Sequence, residues 1–155
     1  MKNLVRSLAL LCAFSLIWAA ACKKDDDDNT PTTKTLYERL GGISAISAVV
    51  DQFIVNVVSD NAINAQFAAT ASNEFRARLL RNNLIDQICA GAGGPCQYKG
   101  KTMKEAHKGM KITDAQFTAL VNDLVAALDK FNVPKAEKDE LLGILGPMKS
   151  DIVGQ

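Results

Sequence analysis

The stretch GGPCQYKGKTMKEAH, residues 93–107, holds the features on which the interpretation of this chain depends. Two glycine turns, Gly93-Gly94-Pro95 and Tyr98-Lys99-Gly100, come before His107, which is the only histidine in the sequence. A histidine on a helix is usually solvated or hydrogen-bonded in the core, so the residue type alone is a weak signal of function. The role of His107 therefore has to be judged from the sequence around it.

Upstream of this stretch, apolar residues recur at helical spacing. Thr35 and Glu38 have the spacing of a capping box and predict a short helix that ends at Gly41-Gly42. A broad apolar face from Ile43 to Val58 predicts a long helix, followed by a short helical turn over residues 62–67. A third apolar stripe predicts another helix, which the glycines after residue 90 end. The stripe is formed by Phe75, Leu79, Leu80, Leu84 and Ile88.

Downstream, two more helices are predicted. Thr113 and Gln116 form another capping-box pattern, and a final helix is expected after Pro134 with an apolar stripe that reaches Ile152. No segment shows the period-two alternation of an amphipathic strand. The sequence therefore predicts one all-α domain over residues 36–155, long enough to bury a single core.

The N-terminus resembles an export signal. Basic residues precede an apolar run over residues 8–21, which is shorter than the about 20 residues of a comfortable membrane span. Small residues before Cys22 resemble a bacterial lipoprotein processing site, and cleavage after an Ala-x-Ala pattern is the alternative. We therefore expect a signal peptide at residues 1–21, then a lipidated Cys22 and an acidic linker through residue 35. This arrangement would make the protein an exported, membrane-anchored lipoprotein of the bacterial envelope or surface.

The charge balance gives no indication of a nucleic-acid partner. Residues 1–21 contain two of the 18 basic residues and none of the 17 acidic ones, so the remainder has a formal net charge of −1. Proteins that bind nucleic acid through phosphate contacts are typically basic. We therefore expect no nucleic acid among the partners.

Two cysteines, Cys89 and Cys96, remain in the predicted domain and flank a glycine-rich stretch. In an oxidising compartment they are candidates for a disulfide, while the alternative is two free thiols with Cys89 packed as a small apolar residue. A zinc site is disfavoured, because neither a second cysteine pair nor another histidine is available to complete its ligands.

Several motifs, in this order, resemble those of group I truncated haemoglobins, the small bacterial globins. They are Leu36-Tyr37-Glu38-Arg39-Leu40-Gly41-Gly42, Val50-Asp51-Gln52-Phe53, Phe67, the two glycine turns, and Met103 four residues before His107. The resemblance extends from Leu36 to about Val153. It implies a 2-over-2 helical sandwich for the whole domain.

The resemblance also implies heme b as the cofactor, with His107 as the proximal ligand of its iron and Phe67 stacked on the porphyrin. No Cys-x-x-Cys-His motif is present, so the heme is expected to be held non-covalently. The expected pocket residues are Phe53, Leu80, Leu84, Met103, Ile112, Phe117 and Leu120. Candidate partners for the heme propionates are Arg76, Arg78, Arg81 and Lys101.

The distal side departs from the family pattern. Ile54 stands where a tyrosine is usual, Leu84 where a glutamine is common, and Leu80 at the position of the distal histidine of larger globins. A hydrogen bond to a charged partner contributes about 1.5–3 kcal/mol. Iron-bound dioxygen carries partial negative charge on its outer atom, so the absence of a donor would weaken dioxygen binding by about one to two orders of magnitude. Nitric oxide and carbon monoxide, which bind less polarly, would lose less affinity. Asn83 and Gln87 are the only nearby amides.

These features favour reversible binding of a diatomic gas (O2, NO or CO), for transport or sensing, over committed catalysis, and no catalytic residue is predicted. One alternative is a lipoprotein that captures or stores heme. Another is a nitric oxide dioxygenase, if Asn83 or Gln87 supplies the distal donor. A third is a helical lipoprotein that no longer binds heme. The sequence does not identify a redox partner.

Overall fold

The computed structural model describes residues 33–155. The predicted signal peptide, Cys22 and nearly all of the acidic linker lie outside the described residues. Within the described part of the chain no strand occurs, and a single isolated parallel bridge joins Ile112 and Val153. The predicted all-α fold is confirmed. The helices are α1 (Leu36–Arg39), α2 (Gly42–Ser59), α3 (Asn64–Ala71), α4 (Glu74–Gly91), α5 (Met103–His107), α6 (Asp114–Lys130) and α7 (Lys135–Leu145), followed by a 3₁₀ helix (Gly146–Asp151).

Side-chain caps explain where several helices begin. The capping boxes predicted at Thr35 and Thr113 are present, and Thr102 with Glu105 forms another at the start of α5. In each box the threonine hydroxyl accepts from a first-turn backbone N–H that has no partner within the helix. The Asn73 side chain does the same at the start of α4, where it accepts from the Arg76 N–H at 3.0 Å. These local interactions fix helix starts independently of packing.

Two elements differ from the sequence-based expectation. The turn expected over residues 62–67 is a helix, α3, that continues to Ala71. The last predicted helix ends at Leu145, because Pro147 cannot donate to a continuing α-helical ladder, and the chain proceeds as a 3₁₀ helix to Asp151. The 3₁₀ helix keeps Ile152 buried, so the predicted apolar stripe still reaches the core.

Helix α2 is the centre of the core. It packs on both α4 and α6, and its side chains at Val50, Phe53 and Val57 are buried. By length and composition α2 could also cross a membrane, but one of its faces, which carries Val50, Phe53 and Val57, is buried in the core of this domain, as in the core helix of a globular protein. Leu128 of α6 and Leu141 of α7 complete the cluster at 1% exposure each. Two helices, α2 and α4, thus share one core with α6 and α7, as the predicted 2-over-2 arrangement requires.

Helix α4 does not bury its whole apolar stripe. Its C-terminal half packs into the core through Ile85, Ile88 and Cys89, whereas Phe75 and Leu79 near its N-terminus are 68% and 49% exposed. Periodicity predicts an apolar face but not how far along the helix a partner covers it. The exposed half of α4 is the half that borders the cleft described below.

The glycine turns after α4 are required by close packing. A Cβ atom on Gly94 would lie 2.5 Å from the Tyr37 ring and 2.7 Å from Cys89 Sγ, so only glycine fits there. Cys89 and Cys96 are joined by a disulfide, with their Cα atoms 5.7 Å apart. The Tyr98 ring folds over Gly100, and its hydroxyl donates to the Lys101 carbonyl at 2.7 Å. The segment between α4 and α5 is therefore fixed at several points. These contacts determine where α5, the helix that ends at His107, begins.

Candidate heme site

The proximal side is built around the short helix α5. Its capping box fixes the first turn, and His107 is its last residue, half-buried. The His107 Nδ1 atom lies 2.7 Å from the Met103 carbonyl oxygen, one helical turn earlier. A carbonyl only accepts, so this contact assigns the ring proton to Nδ1 and leaves the Nε2 lone pair free. That is the tautomer in which a neutral imidazole binds a metal through Nε2, with its other nitrogen held by an outer partner.

The distal side is a narrow apolar cleft between α2, α3 and α4. Five of its lining residues were expected from the sequence: Phe53, Ile54, Phe67, Leu80 and Leu84. The others, which the sequence analysis missed, are Val57, Val58, Thr70, Ala71 and Ala77. Thr70 follows Phe67 by three residues and Ala77 precedes Leu84 by seven, so helical spacing from the predicted residues would have found both.

Thr70 provides the only hydroxyl among the residues that line the cleft, and the other nine are apolar. Ile54, Leu80 and Leu84 line the cleft together, so the three positions that depart from the family pattern are brought to one place. None of these three side chains can donate a hydrogen bond. Asn83 is half-buried and is not among the lining residues.

Gln87 does not offer its donors to this cleft. Its amide nitrogen lies 3.5 Å from Met103 Sδ and 3.1 Å from Met148 Sδ. In this structure the Gln87 amide donates to two thioether sulfurs, and a role for Gln87 or Asn83 as a distal donor stays a prediction. Gln87 instead connects α4, which carries Leu80 and Leu84, to α5, which carries His107.

The remaining predicted wall residues lie elsewhere. Ile112 is buried and forms the backbone bridge with Val153, and Leu120 packs on the main core. Phe117 is half-buried, with the Lys149 ammonium 5.8 Å from its ring centre. These three, together with Met103 and His107 of α5, are not among the lining residues of the distal cleft.

Two of the cations expected near heme propionates have protein partners. Arg81 forms a two-bond ion pair with Asp51 of α2, at 2.5 and 2.8 Å, and Arg78 pairs with Glu74 at 3.4 Å. The hydrogen bonds from Arg81 lower the pKa of the Asp51 carboxyl. Arg81 therefore links α2 to α4, and Arg76 and Lys101 stay predictions as propionate partners.

The donor set fits a heme group held at one axial position. A single imidazole with a free Nε2 is available on α5, and a cleft lined almost wholly by apolar side chains, with Phe67 among them, lies against α4. Porphyrin is a large apolar ring, so apolar walls favour its burial. The sequence contains no second histidine that could occupy the other axial position.

Comparison with known proteins gives the same result. Residues 35–153 match the family described as bacterial-like globin. The chain is 32% identical to a group 1 truncated hemoglobin of Mycolicibacterium paratuberculosis, over 76% of this chain and 83% of that protein. Its fold is similar to the crystal structure of the truncated hemoglobin from Tetrahymena pyriformis in the Fe(III) form, with a TM-score of 0.71 and 32% identity, over 79% of this chain and 100% of that chain.

The fold also resembles the 2/2 hemoglobin from Synechococcus, solved in the cyanomet state with covalently attached heme, with a TM-score of 0.70 and 28% identity. That match covers 77% of this chain and 98% of that chain. The chain therefore belongs to the bacterial-like globins, as a group 1 truncated haemoglobin with heme as its cofactor.

Proposed function

We propose that this globin holds heme b non-covalently through His107 and reversibly binds a diatomic gas on the side of the heme that faces Ile54, Leu80 and Leu84. The observation that carries the proposal is the hydrogen bond from His107 Nδ1 to the Met103 carbonyl, because it leaves Nε2 as the free ligand atom. When bound, the heme would supply an iron that can take a gas as a further ligand.

The protein contributes orientation and exclusion of water. Met103 and the capping box of α5 hold the imidazole, while the apolar cleft keeps polar solvent away from the distal side. Because the residues at the three usual donor positions are apolar, the site favours gases whose binding needs no hydrogen bond. We therefore propose binding of carbon monoxide or nitric oxide ahead of stable oxygen storage.

An absorption spectrum tests the proximal assignment. Protein expressed with heme available is reduced without oxygen and exposed to carbon monoxide, beside His107→Gly. A Soret band that shifts with carbon monoxide in the wild type, is altered or lost in the variant and returns when imidazole is added supports His107 as the ligand. A variant with an unchanged spectrum would contradict the assignment, and a wild type that takes up no heme would remove the function.

Heme capture or storage is the alternative from the sequence, and the rate of heme loss separates it from gas binding. Apomyoglobin in excess accepts heme that dissociates from another protein. A prosthetic group that serves gas binding is retained through many cycles of ligand exchange, whereas a carrier gives up its heme on the time scale of transfer. Slow transfer therefore supports the gas-binding proposal, and rapid complete transfer supports heme handling.

We further propose export and acylation at Cys22, on the basis of the basic start, the apolar run and the small residues before that cysteine. In a bacterial host supplied with an alkyne fatty acid, the wild-type chain should carry the label and sediment with membranes, while Cys22→Ser should lose both properties. A soluble, unlabelled wild-type chain would contradict the proposal.

A further inference from the structure

Gln87 contacts two other elements through one side chain. Its amide nitrogen is 3.5 Å from Met103 Sδ on α5 and 3.1 Å from Met148 Sδ on the 3₁₀ helix. A primary amide has two N–H donors and a thioether can only accept, so each sulfur can receive one hydrogen bond. Gln87 is half-buried and lies one turn beyond Leu84, so it stands at the inner end of the helix that forms the distal wall.

Met103 is engaged at two atoms. Its sulfur accepts from Gln87, and its backbone carbonyl accepts from His107 Nδ1 at 2.7 Å. The short path Gln87–Met103–His107 therefore joins α4 to the imidazole. Through the same amide, Met148 secures the 3₁₀ helix, against which α5 also packs.

Helix α5 has little rigidity of its own. It contains five residues, Met103–His107, about one and a half turns, and helices this short are not stable without outside contacts. Its orientation therefore depends on the capping box at Thr102, the packing on the 3₁₀ helix and the contact with Gln87. Of these three, the Gln87 contact is the one that connects α5 directly to α4.

We propose that Gln87 is a positioning residue for His107: by holding Met103, it sets the orientation of the proximal imidazole relative to α4. This inference rests on the proposed function of His107 as the heme ligand. The partners of a metal-bound histidine typically alter metal affinity or activity by about 10–100-fold when they are removed. Gln87 is one contact further from the imidazole, so we expect the lower end of that range.

The test uses Gln87→Leu, which keeps most of the side-chain volume and removes both donors. Asn82→Leu is the control on the same helix, because Asn82 is an exposed amide and the hydrogen bond to Met103 comes from Gln87. In the ferrous protein without gas, the iron–histidine stretching band in resonance Raman should shift or broaden in Gln87→Leu and stay as in the wild type in Asn82→Leu. Heme loss to apomyoglobin should be about tenfold faster in Gln87→Leu.

A double-mutant comparison assigns the effect to the Met103 contact. Met103→Leu conserves volume and removes the sulfur acceptor, so it should reproduce the Raman change, and Gln87→Leu combined with Met103→Leu should add little. The apoprotein gives a second readout: amide hydrogen exchange over residues 102–107 should accelerate in Gln87→Leu but not in Asn82→Leu. Unfolding measurements show whether each variant is folded.

The outcomes separate this inference from the proposed function. A wild-type iron–histidine band that Gln87→Leu leaves unchanged, or a loss of stability with no change in the band, would overturn the positioning role while keeping His107 as the ligand. A wild type with no such band would overturn the proposed function. In that case unchanged amide exchange in Gln87→Leu would overturn the structural contact as well.

Discussion

At the residue scale, Leu84 offers the most direct way to test the chemistry of the distal cleft. Leu84→Gln places an amide donor among apolar lining residues, and a hydrogen bond to a ligand with partial negative charge contributes about 1.5–3 kcal/mol. We therefore expect oxygen affinity to rise by about ten- to a hundredfold, mainly through slower dissociation, with a smaller change for carbon monoxide. Stopped-flow or flash photolysis measures both rates.

Leu84→Met is the matched control for that substitution, because it keeps an apolar side chain of similar volume and adds no donor. Its oxygen dissociation rate should stay close to that of the wild type. Equal effects of Leu84→Gln on oxygen and carbon monoxide would contradict a hydrogen-bond mechanism and would indicate a change in access to the cleft.

Asp123 is a second informative residue because one of its carboxylate oxygens, Oδ2, is buried without a hydrogen-bond partner. Burial raises the pKa of the Asp123 carboxyl, and the nearby Asp60 charge raises it further. When the pKa of an acid is higher in the folded than in the unfolded state, the protein loses stability as pH rises through the range between the two pKa values. Asp123→Asn should therefore stabilise the protein at neutral pH, by about 1 kcal/mol.

Urea unfolding at two pH values checks this prediction. The gain from Asp123→Asn should shrink at pH 3, where the wild-type carboxyl is also protonated, and Asp60→Asn should reduce it at pH 7 because the two charges are coupled. A variant that is less stable than the wild type at pH 7 would show that the ionised carboxylate has a favourable partner.

At the scale of elements, the Asp51–Arg81 pair connects α2 to α4, the two helices that carry Ile54, Leu80 and Leu84. Hydrogen bonds from Arg81 lower the pKa of Asp51. The stabilisation is thus present above the ordinary carboxyl range and is lost as pH falls through the lowered pKa. Because both side chains are exposed, solvent screening limits the contribution to about 0.5 kcal/mol.

Asp51→Asn should therefore lower the free energy of unfolding slightly at pH 7, and this loss should shrink as pH falls through the lowered pKa of the wild-type Asp51 carboxyl. Glu74→Gln is the comparison, since the Glu74–Arg78 pair lies within α4 and connects no second helix. A loss in Asp51→Asn that did not shrink at acidic pH would show that the effect comes from packing and not from the ion pair.

At the scale of the whole molecule, we expect heme binding and folding to be coupled. The cleft is bordered by large apolar side chains, and Val58, one of its lining residues, is 49% exposed. A ligand that binds only the folded state, at a concentration of about a hundred times its dissociation constant, adds about 2.7 kcal/mol to the free energy of unfolding. For a domain of this size that increase raises Tm by about 10 °C. Calorimetry of the apo and heme-loaded protein measures this shift.

His107→Ala should retain the Tm of the apoprotein and lose most of the increase with heme, because its substitution removes the proposed iron ligand and not a core residue. An equal increase in the variant would mean that the apolar cleft alone holds heme. A lower apoprotein Tm would instead mean that the imidazole contributes to folding through its contact with Met103.

The sequence by itself determined the features that depend on neighbouring residues. Capping boxes at Thr35 and Thr113 fixed helix starts, apolar spacing identified α2, α4 and α6, and the glycine turns located His107. Half of the cleft lining, including Ile54 and Leu84, followed from the resemblance to truncated haemoglobins. Hydrogen bonds within one turn and helical periodicity are local, so they can be read from spacing alone.

Only the tertiary structure decided which side chains meet across helices. Gln87 and Asn83 are both amides on α4, yet in the folded chain it is Gln87 that donates to Met103 of α5 and to Met148 of the 3₁₀ helix. In the same way Arg81 is paired with Asp51, and the stripe on α4 is buried at one end only. Such contacts depend on how separate elements are placed in space, and spacing along the chain does not contain that information.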